Sequence, residues 1–139
     1  MTRLQRVTVV LPVYNEVATV AEVVRAVHGH HHGPVVVVDD GSTDGTGEVL
    51  ASLGGTTIVS HAENRGYGRS LSDGFSRALA DGAEVVVTMD CDGQHEPAHI
   101  PGFVDALESC DIVSGSRYLP QSPVVGVAPP QRQDVNRRV

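Results

Sequence analysis

Residues 35–46, VVVVDDGSTDGT, decide the fold, because an unbroken run of valines passes directly into a cluster of acidic and small polar residues. Continuous apolarity without alternation is typical of a strand that is buried on both faces. Similar β-branched runs occur at 7–11, 57–59, 85–89 and 112–113. The pattern therefore predicts five short strands in one buried, mostly parallel sheet.

Between these runs, apolar residues recur at the spacing of amphipathic helices. One such stripe, which we expect to pack on the sheet, consists of Leu71, Phe75, Ala78 and Leu79. Alternating strands and helices imply right-handed crossovers, and ligands in such folds bind beyond the carboxyl ends of the strands. The sequence thus predicts an α/β domain, a mostly parallel sheet flanked by helices, in residues 1–120. It predicts an extended or disordered tail, rich in Pro, Gln and Arg, in residues 121–139.

Composition excludes several classes of protein. The chain of 139 residues suits a single α/β core, and its net charge of −7 argues against nonspecific binding to nucleic acid. All ten basic residues are arginines, which removes mechanisms that need a lysine. The two cysteines lack metal-ligand spacing, and neither a signal segment nor a membrane-spanning run is visible. We expect a cytoplasmic protein that can work peripherally at the cytoplasmic face of the membrane.

Polar clusters follow four of the predicted strands, namely PVYNE (12–16), DDGSTDGT (39–46), HAENRGYG (61–68) and DCDGQH (90–95). Because the carboxyl ends of parallel strands share one edge of a sheet, we expect their acidic residues to converge on one crevice. These residues are Glu16, Asp40, Asp90 and Asp92. Crowded carboxylates favour a divalent cation such as Mg²⁺ or Mn²⁺. Asp90 and Asp92 point the same way along a strand, and Gln94 can add a neutral oxygen ligand.

Five motifs in this order resemble the family 2 glycosyltransferases with a GT-A fold, and they are VVLPVYNE, VVVVDDGSTDGT, NRGYGRSLSDGF, TMDCDGQHEP and DIVSGSRY. The likeness covers residues 6–120 and is greatest to polyprenyl-phosphate (dolichol-phosphate) mannosyl- or glucosyltransferases. It implies a Rossmann-like nucleotide-sugar-binding domain that acts in cell-envelope glycan biosynthesis. The implied reaction is metal-dependent, inverting transfer of a hexose from a donor such as GDP-mannose or UDP-glucose to a polyprenyl phosphate at the membrane surface.

The resemblance also implies roles for individual residues. Asp90 and Asp92 match the catalytic aspartates that surround the metal, together with Gln94. The positions implied to bind the nucleotide sugar are Pro12, Tyr14, Glu16, Val38, Asp40, Cys91 and Arg117. We expect Asp39 and Asp44 to shape turns instead of contacting ligand, and we expect HGHHHG, residues 28–33, to form a solvated loop. Tyr67 is assigned to the core.

Full-length relatives continue past the position of Val139, and a strand from that continuation usually lies beside the fourth strand. We therefore expect a donor-binding fragment, a truncated gene product or one half of an assembly, with an unpaired sheet edge. The alternative function is a non-catalytic nucleotide-sugar-binding domain. An aspartyl-phosphate phosphohydrolase and a phospho-receiver domain also have acidic strand ends, but both normally use a lysine. A nicotinamide dehydrogenase would need G-x-G-x-x-G in place of PVYNE.

Overall fold

The computed structural model describes residues 6–115, so Arg117, the predicted boundary at residue 120 and the predicted tail lie outside the described residues. The strands are β1 (Val7–Val13), β2 (Val35–Asp39), β3 (Thr57–Ser60) and β4 (Val85–Thr88). The helices are α1 (Val20–His30), α2 (Thr46–Ser52), α3 (Tyr67–Ala80) and α4 (Ile100–Ala106), and a 3₁₀ turn (Pro97–His99) precedes α4. None of these described helices is long and apolar enough to cross a bilayer.

The strands form one parallel sheet in the order β3-β2-β1-β4. The chain first runs outward from β1 through β2 to β3, and it then returns to place β4 on the other side of β1. The direction of winding therefore reverses between β1 and β4, which is where open α/β sheets bind ligands. The parallel α/β prediction is confirmed. The reversal point also shows where along the sheet edge a ligand is expected to bind, which the hydrophobic pattern did not show.

The helices cover both faces of the sheet unequally. The larger core cluster includes Val9 and Leu11 of β1 and joins them to apolar residues of α1, α2 and α4. The smaller cluster lies on the opposite face, where Val10 and Val38 meet Ala78 of α3. Because successive strand residues alternate between faces, the valine runs supply both clusters at once.

The predicted stripe on α3 is confirmed at Ala78 and wrong at Phe75 and Leu79. The residues that α3 buries are Ser70, Gly74 and Ala78. Phe75 and Leu79 are exposed over 38% and 63% of their surfaces. A Cβ atom at Gly74 would lie 2.4 Å from Cγ1 of Val10, so the helix approaches the sheet too closely there for a larger residue. Small residues therefore face the sheet, and the large apolar ones lie to the side.

Two further predictions fail, one after α4 and one at the end of α1. Residues 112–113 are irregular instead of a fifth strand, and Ile112 is 86% exposed. Among the described strands, β4 pairs only with β1, and residues 112–113 do not join the sheet. The histidine run is not a solvated loop throughout, because α1 extends to His30 and the side chain of His31 is buried.

Candidate functional site

The loop after β1 is fastened to the loop after β2 by hydrogen bonds in both directions. The amide of Asn15 donates to Oγ of Ser42, and the amide of Thr43 donates back to Oδ1 of Asn15 at 2.8 Å. Glu16 donates its amide hydrogen to Oγ1 of Thr46 at 3.0 Å. The left-handed backbone of Asn15 (φ 51°) is one that asparagine tolerates well. These bonds give PVYNE a fixed shape at the carboxyl end of β1.

Asp44 shapes this junction as predicted. Its Oδ1 accepts hydrogen bonds from the amide and the hydroxyl group of Thr46, and its Oδ2 accepts from the amide of Val17. The hydroxyl bond from Thr46 is the main reason that the pKa of Asp44 is lowered. Asp39 has a similar task, since its Oδ1 accepts from the amide of Ser42 at 3.1 Å. Both aspartates therefore stabilise turns.

A threonine connects the two sides of the reversal point between β1 and β4. The hydroxyl group of Thr19 lies 2.5 Å from the carbonyl oxygen of Cys91 and 3.2 Å from Oε2 of Glu16. One hydroxyl hydrogen serves one acceptor best, and the shorter distance identifies the Cys91 carbonyl. Thr19 thus holds the loop after β4 against the start of α1.

The segment after β4 presents both predicted metal ligands. Asp90 is half-buried, and its Oδ1 accepts a 3.0 Å hydrogen bond from the hydroxyl group of Tyr67. Asp92 is exposed, and its Oδ1 accepts the amide hydrogen of Gln94 at 2.9 Å. Nδ1 of His95 accepts the amide hydrogen of Asp90, which closes the turn. The loop therefore places one carboxylate on either side of Cys91 in the sequence.

The pKa of the Cys91 thiol shows that this region is negatively charged. Its side chain is buried, and burial together with the negative charges of Glu16, Asp90 and Asp92 raises its pKa to about 12. Three of the four predicted carboxylates therefore act on one point in the structure. Across residues 6–115, however, no group of three or more His, Cys, Asp or Glu side chains is arranged to hold a metal ion by itself.

Asp40 makes its hydrogen bonds with the loop after β3. Its oxygens accept hydrogen bonds from the ring of His61 and from the amides of Arg65 and Gly66, at 2.7 to 2.9 Å. Burial alone would raise the pKa of Asp40, but these hydrogen bonds outweigh it and hold the pKa below its ordinary value. Asp40 therefore faces the loop after β3, and its convergence with the other three acids stays a prediction.

The other predicted nucleotide contacts differ in exposure. Tyr14 is 47% exposed at the end of β1, where its ring is open to a ligand. Pro12 and Val38 are register partners in neighbouring strands, and both are buried. Val38 belongs to the core cluster that faces α3, so its side chain packs inside the domain. Pro12 and Val38 can influence a ligand through the shape of the sheet end.

Sequence reasoning did not assign to the site three residues that organise this region, namely Thr19, His61 and Tyr67. Tyr67 is 58% exposed at the start of α3, so its assignment to the core is wrong. The position of His61 carried a usable signal, because it directly follows β3 within a polar cluster at a strand end. Thr19 gave no comparable signal, since its partner Cys91 is 72 residues away in the sequence.

A parallel α/β sheet with carboxylates beside its reversal point defines a nucleotide-binding type of architecture. The sequence model of the family described as glycosyl transferase family 2 matches residues 8–138 of this chain. The chain therefore belongs to glycosyltransferase family 2.

Relatives within the family are about a third identical to this chain over the aligned region. Polyprenol monophosphomannose synthase of Mycolicibacterium smegmatis is 37% identical over 125 residues, which cover 84% of this chain and 46% of the relative. Undecaprenyl-phosphate mannosyltransferase of Micrococcus luteus is 34% identical, over 86% of this chain and 51% of the relative. The chain thus spans about half the length of the curated relatives it matches.

A solved structure supports the same fold. The mannosyltransferase PcManGT from Pyrobaculum calidifontis, in complex with GDP-Man and Mn²⁺, matches with a TM-score of 0.53 and 34% identity. The match covers 63% of this chain and 27% of that protein. The parallel sheet described above is therefore of the GT-A type.

Proposed function

We propose that this chain provides the donor-binding side of a glycosyltransferase that transfers a hexose from a nucleotide-diphosphate sugar to a polyprenyl phosphate, with inversion at the anomeric carbon. The observation that carries this proposal is the pair Asp90 and Asp92 at the end of β4, next to the reversal point of the sheet and opposite Glu16. The names of the relatives supply the class of acceptor.

The residues after β4 fit a divalent cation, Mg²⁺ or Mn²⁺, held by Asp90, Asp92 and Gln94. Their carboxylate and amide oxygens are the hard ligands that such ions prefer. Two carboxylates without a third acidic ligand suit an ion whose remaining positions belong to water and to a diphosphate. When bound, the metal would stabilise the negative charge that builds on the departing diphosphate. Mn²⁺ accompanies GDP-Man in the structurally similar mannosyltransferase.

The side of the crevice formed by β1 and β2 suits the nucleoside. The exposed ring of Tyr14 offers a flat apolar face, and Glu16 offers acceptor oxygens for ribose or base hydrogens. Three hydrogen bonds already occupy the carboxylate of Asp40, which leaves about one of its lone-pair positions for a donor on the base. Asp40 therefore stabilises the loop after β3 and can accept about one further hydrogen bond from the base. Cys91 borders the site as a small neutral residue, and Arg117 is retained as a candidate phosphate contact.

The acceptor phosphate is already anionic, so its attack on the sugar needs no general base. A lipid-linked acceptor brings the reaction to a membrane surface, and we propose peripheral action at its cytoplasmic face. The work of the chain's own residues is to bind and orient the donor and to keep the diphosphate beside Asp90 and Asp92.

A second candidate is a nucleotide-sugar-binding domain without transfer activity. It is favoured by one observation, which is that the candidate contacts among residues 6–115 all belong to the donor side of the crevice. The two candidates share the donor crevice and differ in whether acceptor contacts exist.

Calorimetric titration with GDP, UDP, GDP-mannose and UDP-glucose, with and without Mn²⁺, tests the donor crevice. We expect one nucleotide to bind and Asp92→Asn to weaken the metal-dependent part by about tenfold or more. Asp81→Asn is the matched control, because Asp81 follows the far end of α3. If no nucleotide binds and Asp92→Asn behaves like the wild type, the proposal is wrong. Transfer to a short polyprenyl phosphate then separates an enzyme from a binding domain.

A further inference from the structure

The ring of His61 is buried between two carboxylates. Its Nδ1 lies 2.7 Å from Oδ1 of Asp40, and its Nε2 lies 2.9 Å from Oδ2 of Asp73. The side chains of His61 and Asp40 are each 5% exposed, and that of Asp73 is 22% exposed. Arg69 donates to the same oxygen of Asp73 from one helical turn earlier. Little water can therefore reach the ring to replace its hydrogen bonds to Asp40 and Asp73.

This arrangement fixes the protonation of the ring. A neutral imidazole has one N–H donor and one acceptor, so it can satisfy only one of two carboxylates. Hydrogen bonding lowers the pKa of Asp40 against the opposing effect of burial, and the bond from Arg69 lowers that of Asp73. Both carboxylates are thus ionised, and a ring that donates to each of them needs hydrogen on both nitrogens. An imidazolium in this place joins two anions from different elements of the fold.

The segment that this ion bridge holds leads directly to the candidate site. The amide of His61 donates to the carbonyl oxygen of Asp39, and Asp40 accepts from the amides of Arg65 and Gly66. A Cβ atom at Gly41 would lie 2.5 Å from the backbone of Glu63, so the loop after β2 presses against the loop after β3. The residue that follows Gly66 is Tyr67, whose hydroxyl group reaches Asp90.

We propose that His61 is a positioning residue, which acts as a buried imidazolium that ties Asp40 to Asp73 and so fixes residues 61–67 beside the donor crevice. The inference rests on the proposed function in one respect, that the nucleotide of the donor binds in this crevice. His61 itself contacts no substrate in this scheme. It acts through Asp40, through the amides of Arg65 and Gly66 that donate to Asp40, and through Tyr67.

Substitution of the ring tests the role of its charge. His61→Asn keeps an N–H donor near the position of Nδ1 and removes the positive charge and the bond to Asp73. We expect this variant to bind the preferred nucleotide about tenfold more weakly. Asp73→Asn leaves the contact between His61 and Asp40 in place, and we expect a smaller loss. If His61→Asn fails to fold, Asp73→Asn decides the question.

The chain supplies a close control on the same helix. Arg77 and Asp81 form the same kind of ion pair, with the same four-residue spacing, as Arg69 and Asp73. Asp81→Asn therefore removes an equivalent surface pair that has no histidine. We expect it to leave nucleotide affinity unchanged. Equal losses in Asp73→Asn and Asp81→Asn would overturn the positioning role.

Two spectroscopic readouts separate positioning from general stability. NMR of the imidazole nitrogens in the wild-type protein is expected to find both of them protonated at neutral pH. Amide hydrogen exchange at Arg65 and Gly66 is expected to accelerate in His61→Asn, with little change in the core strands. A ring with one protonated nitrogen, or unchanged exchange at these amides, overturns the inference whether or not nucleotide binds.

The charged groups that face the ring are Asp40 from the end of β2 and Asp73 from α3, with Arg69 behind Asp73. If the ring is doubly protonated but the protein binds no nucleotide, the positioning role of His61 stands in part and the proposed function is contradicted.

Discussion

The hydroxyl group of Tyr67 donates a 3.0 Å hydrogen bond to Oδ1 of Asp90 and so connects the start of α3 to the segment after β4. Burial and the neighbouring negative charge of Asp90 raise the pKa of Tyr67 to about 12, so the phenol keeps its hydrogen throughout the neutral range. The bond therefore orients a candidate metal ligand at every pH at which the protein would work.

Tyr67→Phe is expected to weaken metal-dependent nucleotide binding by about three- to fivefold, because Asp90 loses a donor that orients it while water can partly replace the bond. Calorimetry with and without Mn²⁺ measures the change. In an Asp90→Asn background, the same substitution should have little further effect, since the acceptor has changed. Fully additive losses would contradict a link between these two side chains.

Gly74→Ala is expected to lower the free energy of unfolding by about 2 kcal/mol, because the new methyl group would overlap Val10 at the contact between α3 and β1. Gly68→Ala is the matched control on the same helix, with nothing within 4 Å of its added Cβ. That change should raise the free energy of unfolding by about 0.5 to 1 kcal/mol. Urea denaturation measures both, and stabilisation by Gly74→Ala would contradict the close packing of α3.

The two cysteines are expected to differ sharply in reactivity with a thiol-alkylating reagent. Cys110 is exposed and should react in the folded protein. Cys91 is buried, and its pKa is raised to about 12 by burial and nearby carboxylates, so its reactive thiolate is scarce at neutral pH. Mass spectrometry should find Cys91 modified only after unfolding. Rapid modification in a folded Cys110→Ser variant would contradict the described environment of Cys91.

Asp40 is expected to make stability sensitive to acid. Its pKa is lower in the folded protein than the ordinary 3.8, so its contribution is fully present above that value and is lost as the pH falls below it. Asp40→Asn should therefore lower the free energy of unfolding at neutral pH and make its decline below about pH 4 less steep. Asp105→Asn, at an exposed position on α4, is the control. Thermal unfolding across pH measures the slopes, and an unchanged acid slope in Asp40→Asn would be the contrary result.

The sheet was predictable because its strands are short runs rich in valine. The polar clusters that follow these runs marked the carboxyl ends of the strands. Two apolar residues at 112–113 were too little to specify a strand, since a strand also needs a neighbour to pair with. The position of α3 failed for a different reason. Apolar size favoured Phe75 and Leu79, whereas the close approach to Val10 selects Gly74.

Within the site, the aspartates were predictable as strand-end residues, but their partners were not. The two carboxylates that enclose His61 lie 21 and 12 residues away, on a strand end and on a helix. Only the three-dimensional path of the chain brings them to opposite sides of one ring.

Hydrogen bonds join β4 to β1 on one side, and no other strand in residues 6–115 occupies its second side. Only Met89 separates this edge strand from Asp90, the first candidate metal ligand. A strand that pairs along the open side of β4 would therefore hold Asp90 through the backbone of β4. Donor affinity would then report whether that edge is occupied.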